Sequence, residues 1–110
     1  MKRVLLVGRD PLFAWALEKT ITAQGHRLEH VYTVAEATLR MNRFHYDLCL
    51  LDGLSEEEIG SFPNLEDEST SIFVLDDREA EKAGKGAPGA HRIPKEGSLS
   101  SILATLRDDQ

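Results

Sequence analysis

The stretch Tyr46-Asp-Leu-Cys-Leu-Leu-Asp52 constrains the fold of this 110-residue chain more than any other. Its four consecutive apolar residues, Leu48 to Leu51, point to a strand covered on both faces. Such strands lie in the middle of a parallel sheet, with helices above and below. Asp52 then stands at the carboxyl end of that strand, the edge of an α/β sheet where ligands and reactive carboxylates gather.

The remaining segments fit around this central strand. Val4 to Val7 form a short apolar strand, and Asp10-Pro11 is a helix start, with Asp capping free amides and Pro losing no hydrogen bond at the first helical position. Phe13, Ala16, Leu17 and Ile21 recur at helical spacing up to Gly25. His26 to Tyr32 reads as a less apolar edge strand, and the capping box Thr33-Val-Ala-Glu36 opens a second helix running to about Phe44. After Asp52 the pattern weakens: Ser55 to Glu58 can nucleate a short helix, which Gly60 and Pro63 break. Ser71 to Leu75 is a fourth strand, the Gly-rich segment 76–89 supports little helix, and Ala90 to Ile93 is a short fifth strand before Pro94-Lys95. Ser98 is expected to cap a last helix with Leu99, Ile102, Leu103 and Leu106 on its apolar stripe. Alternating strands and helices predict an α/β, doubly wound, five-stranded parallel sheet with right-handed crossovers. Residues 1–110 are expected to form one domain.

Composition narrows the function classes. Nothing approaches the roughly 18 apolar residues of a membrane span, and the start lacks the apolar stretch of a secretory signal, so the expected address is cytoplasmic. The single cysteine, Cys49, lies in the apolar run and reads as a small buried hydrophobe. The formal charge is −6, and eleven of the nineteen acids fall between Asp52 and Glu81, where Arg78 is the only base. That concentration of carboxylates repels phosphate backbones and disfavours direct nucleic-acid binding. It reads either as a solvated face or as a surface for a basic protein partner.

The predicted sheet brings Gly8-Arg9-Asp10, Asp52, Asp76-Asp77 and Lys95 to one edge. With Val4 to Val7 before the expected acidic pair, Asp52 ending its strand, Gly60 eight residues further on and Pro94-Lys95 closing the set, the chain resembles the receiver domain of bacterial response regulators over essentially its whole length. The resemblance implies a flavodoxin-like fold of strand order 2-1-3-4-5. It also implies that Asp52 stands at the phospho-acceptor position, that Lys95 stands at the lysine which steadies the phosphoryl group, and that an acidic pair would help Asp52 hold Mg²⁺. In that family a histidine kinase is the phosphoryl source, and a Ser or Thr after the fourth strand senses the product. Spacing adds that the third and fourth helices should be short, which would alter the face where receivers usually dock partners.

Two positions depart from the pattern. Aligned on Val7, the acidic pair falls on Gly8 and Arg9, and the hydroxyl position falls on Asp76. Mg²⁺ needs several oxygen ligands in octahedral array, and an arginine beside one or two carboxylates makes a poor site. Arg9 is therefore expected to replace the metal, its planar fork near Asp52, while Lys95 pairs with Asp52 or Asp76. Asp10 reads first as a helix cap and second as a metal oxygen together with Asp52. The resulting expectation is an atypical receiver that is no enzyme and needs no cofactor. It would work through a protein partner such as a histidine kinase or output protein, without nucleic acid or membrane. Two alternatives remain: a receiver still phosphorylated on Asp52, and a small nucleotide- or flavin-binding domain of the same fold, against which the lack of a glycine-rich phosphate turn after the first strand counts.

Other signals are weak. Gly84 to Gly89 lacks phosphate-loop spacing and reads as a loop. His26 and His30, on one strand face about 13 Å apart, are too distant to share a metal. Trp15 reads as half-exposed packing or as a contact site.

Overall fold

A computed structural model describes residues 1–62, 70–75 and 90–107, without the side chains of Ala90 and His91. Asp76, Asp77, the Gly-rich segment and the expected fourth helix lie outside the described residues.

Alternation along each buried strand sorts its side chains into two layers. The strands are β1 (Arg3–Gly8), β2 (Arg27–Val31), β3 (Leu48–Asp52), β4 (Ser71–Leu75) and β5 (Ala90–Ile93), all parallel in the order β2-β1-β3-β4-β5. Val4, Leu6, Leu48, Leu50 and Leu75 face helices α1 (Pro11–Ala23) and α4 (Ser98–Arg107), packing on Leu17, Ile21, Ile102 and Leu106. Leu5, Val7, Cys49, Leu51, Ile72 and Val74 face the other way, onto α2 (Val34–Met41) and α3 (Glu56–Gly60), against Ala37 and Ile59. Every residue of β3 is buried, so the unbroken apolar run is the two-sided central strand its sequence demands. Cys49 is wholly buried, and burial pushes its thiol up to about 12.

The helix starts follow local chemistry. Asp10 Oδ1 accepts from the Phe13 amide at 3.1 Å, with Pro11 at the first helical position. Gly25, at φ +87°, lets the chain leave α1 by a conformation that L side chains avoid. Thr33 and Glu36 form a complete capping box on α2, which stops at Met41, short of the expected Phe44. The expected short third helix is five residues long.

Some side chains differ from expectation. On α1 the buried residues are Ala14, Leu17 and Ile21, with Phe13 half-buried and Ala16 exposed. On α4, Leu99 is exposed while Ile102 and Leu106 are buried. Ser98 does not stand before α4 as its cap. It is the first helical residue and is buried, with Gly97 at φ +81° making the turn ahead of it.

Candidate functional site

Parallel register decides which chemistry meets at the carboxyl edge. Gly8 pairs with Asp52 across β1 and β3, so both residues share the face covered by α1 and α4. The approach is close enough that a Cβ on Gly8 would lie 2.8 Å from the Asp52 carbonyl oxygen and 2.9 Å from its Cβ. No side chain fits at position 8 with this backbone. The Gly8 carbonyl is further tied to the edge strand by His30 Nε2, 2.8 Å away.

One residue later the direction reverses. Arg9 follows the alternation of Leu5 and Val7, toward the α2 and α3 side of the sheet. Its Nη1 donates to the Tyr32 carbonyl at 2.9 Å, and its Nη2 lies 3.1 and 3.0 Å from Glu58 Oε1 and Oε2. The guanidinium thus bridges the end of β1, the β2–α2 turn and the start of α3. This corrects the expectation that Arg9 would place its fork at Asp52: strand parity sends the side chain to the opposite face, where Glu58 waits. Glu58 is also the far half of the α3 capping box, accepting from the Ser55 amide at 2.9 Å. That amide bond, seconded by Arg9, holds the Glu58 carboxyl below the ordinary carboxylate range.

The cation beside Asp52 is Lys95. Its Nζ stands 3.1 Å from Asp52 Oδ2 and 2.9 Å from Asp10 Oδ2, and 4.7 Å above the Phe13 ring centroid. Asp52 is 5% exposed, Lys95 about a quarter, and Asp10 nearly half, so the contact runs from a buried carboxylate outward to solvent. Burial by itself lowers the Lys95 pKa. The hydrogen bonds it donates to Asp10 and Asp52 outweigh that effect, and the ammonium sits above its ordinary value. Asp10 is held low, first by its hydrogen bond from Lys95 and then by the Phe13 amide it caps.

The site therefore consists of two ionic clasps on opposite sides of one strand end: Lys95 with Asp10 and Asp52, and Arg9 with Glu58 and the Tyr32 carbonyl. Asp10, Asp52 and Lys95 come together as their positions in the sequence suggest, Arg9 is adjacent but turned away, and Asp76 is outside the described residues. Sequence reasoning missed Glu58 as the partner of Arg9. Its signal was present, since Ser55-x-x-Glu58 has capping-box spacing, but nothing local shows that the same carboxylate meets a residue 49 positions earlier. Among the described residues no group of three or more His, Cys, Asp and Glu side chains is placed to hold a metal ion. Trp15 is 60% exposed, and His26 lies just before β2, accepting from the Lys2 amide at 2.9 Å.

Comparison of the sequence with protein-family models and with curated proteins finds no match. Comparison with solved structures gives strong likenesses. A two-component response regulator from Clostridium difficile aligns with TM-score 0.77 at 16% identity, covering 97% of both chains. The response regulator TrrA from Thermotoga maritima, solved with Mg²⁺ and beryllofluoride, aligns with TM-score 0.77 at 20% identity over 98% of both. An atypical orphan response regulator, described as having a phosphorylation-independent regulatory mechanism, aligns with TM-score 0.74 at 21% identity, covering 96% of this chain and 95% of that one. With the strand order and the carboxyl-edge aspartate and lysine already in place, the fold of this chain is that of a response regulator receiver domain.

Proposed function

We propose that this chain is an atypical receiver module of bacterial two-component signalling, acting through protein–protein contact without phosphorylation of Asp52. The observation that carries this reading is the double clasp. Lys95 Nζ lies between the Oδ2 atoms of Asp10 and Asp52, while Glu58 and the Tyr32 carbonyl hold Arg9 on the other face.

The residues do not fit a magnesium ion. The two carboxylates at this edge already share one ammonium, Asp10 spends its other oxygen on the Phe13 amide, Gly8 has no room for a ligand, and position 9 carries a cation. A divalent ion would have to displace Lys95 and recruit most of its octahedral shell from water. Without the ion, a phosphoryl group approaching Asp52 loses the main clamp on its developing charge. Asp76, at the position where receivers carry a hydroxyl, adds a further carboxylate in the sequence.

In this reading the partner is a histidine kinase or an output protein that recognises one fixed state of the domain. The module is a single cytoplasmic domain of residues 1–110, and it is not an enzyme. Incubation with acetyl phosphate and Mg²⁺, followed by a hydroxylamine-lability assay, tests it. No labile phosphate is expected on the natural chain. Stoichiometric label that disappears in Asp52→Asn would establish the phosphorylated alternative instead.

A further inference from the structure

An edge strand exposes a row of backbone groups, and the sequence of β2 does little to hide them. Arg27 donates its amide to the Lys2 carbonyl at 2.9 Å, which sets the alternation along the strand. Arg27, Glu29 and Val31 therefore turn their amides and carbonyls toward β1, while Leu28 and His30 turn theirs outward. Among the described residues nothing pairs with that outer row. All five residues of β2 keep register with β1, so no bulge twists the edge away, and Arg-Leu-Glu-His-Val contains neither proline nor lysine. Beside this edge lies a groove of about 210 Å³ between α1 and β2, lined by Pro11, Ala14, Trp15, Glu18, Leu28 and His30. Trp15 stands on its rim, 60% exposed. His30 forms a fixed wall, with Nε2 2.8 Å from the Gly8 carbonyl and its ring centroid 4.6 Å from that of Tyr32.

The groove is centred level with Glu29, the middle residue of β2, because Leu28 and His30 flank that residue on either side. We infer that this edge is an interface with a second copy of the chain, β2 pairing antiparallel with β2 about a two-fold axis at Glu29 and doubling the five-stranded sheet. Leu28 of each copy then faces His30 of the other, and the outward amides and carbonyls of these residues bond across the axis. The same axis sets groove against groove, and Trp15 of each copy buries its ring against the other.

On the opposite face, charge favours the pairing. Glu29 meets its own copy at the axis, which repels if the carboxylates are bare. Here Glu29 is 14% exposed and held by Arg3, Arg27 and Arg40 at 3.7, 3.5 and 3.1 Å. Arg27, 60% exposed, falls on the diagonal to Glu29 of the second copy, within reach of a long side chain. An extended peptide from another protein matches the backbone row but brings no second groove and no second Trp15. The coincidence of groove centre and strand centre serves only a two-fold contact. The inference goes beyond the proposed function and holds whether or not Asp52 accepts a phosphoryl group.

Sedimentation equilibrium of the whole chain, together with amide hydrogen exchange at low and high protein concentration, tests it. The expected result is a reversible dimer whose average mass rises with concentration and whose Leu28 and His30 amides gain protection as it forms. The Glu29 amide, on the β1 side, is protected in both states. Trp15→Glu should raise the dissociation constant at least tenfold. The new carboxylate sits one turn before Lys19, a spacing that supports the helix, and an unchanged thermal melt shows that the fold is intact. Leu39→Ser, which removes a side chain 67% exposed on α2, should dimerise as the natural chain does. A monomer at every concentration overturns the inference. So does a dimer that leaves the Leu28 and His30 amides unprotected, survives Trp15→Glu or is lost in Leu39→Ser, since each places the contact elsewhere.

Discussion

Gly8 shows how one missing side chain sets the limits of this site. A Cβ there would lie 2.8 Å from the Asp52 carbonyl oxygen, a distance that only movement of β1 away from β3 can relieve. Gly8→Ala is expected to destabilise the fold by about 1–3 kcal/mol, the usual cost of overpacking, read from a urea melt. At the neighbouring position, Glu58→Gln should release Arg9 from its fork, and hydrogen exchange at the α3 amides should quicken while the sheet core is unchanged. The carboxylates also set a direction of pH response. Asp10 and Glu58 sit below their ordinary values of 3.8 and 4.5, so the stability they contribute is present above those values and lost as pH falls through the lowered ones. Lys95 lies above its ordinary 10.5, so its contribution is complete below that value and lost as pH rises through the raised one. A urea midpoint followed from pH 6 to pH 3 should fall less steeply in Glu58→Gln than in the natural chain.

At the scale of elements, the caps carry the precision of the site. The Thr33 hydroxyl oxygen accepts from the Glu36 amide at 3.1 Å, while Glu36 accepts from the Tyr32 and Thr33 amides, which fixes the turn whose carbonyl receives Arg9. Thr33→Ala should therefore cost about 1 kcal/mol in a thermal or urea melt and loosen the Arg9 clasp as well. Much of this layer is legible from residues in order. The run Leu48 to Leu51 announces a two-sided strand and Asp10-Pro11 and Thr33-x-x-Glu36 announce helix starts, while the strand order is what the receiver resemblance implies. What local sequence does not carry is orientation. The composition around Arg9 suggests a fork at Asp52, but its side-chain direction follows the parity of β1 beyond Gly8 and takes it to Glu58 on the other face. Its partner lies on a five-residue helix 49 positions further along the chain. Ser98 has the composition of a cap, yet packing draws it into the first turn of α4, where burial outweighs its capping preference.

Across the whole molecule, two apolar layers hold the sheet, and the ionic groups sort to its two ends. Leu50, fully buried at the centre of the α1 and α4 layer, should cost about 2–5 kcal/mol when truncated to Ala, lowering both thermal and urea midpoints. The carboxyl end is closed on itself by Lys95 with Asp10 and Asp52 and by Arg9 with Glu58, and at the amino end Arg3, Arg27 and Arg40 meet on Glu29. The proposed function requires that the chain not respond to a divalent ion. Titration of Mg²⁺ with beryllofluoride into the ¹⁵N-labelled chain, followed through the amide resonances of Gly8, Asp10, Asp52 and Lys95, tests that directly. The natural chain is predicted to show no saturable shift, and Lys95→Met, which leaves Asp10 and Asp52 without their shared ammonium, to gain a weak one. Saturable shifts at Asp10 and Asp52 in the natural chain, at Mg²⁺ concentrations of its cellular range, would contradict the closed clasp and restore Asp52 as a phosphoryl acceptor.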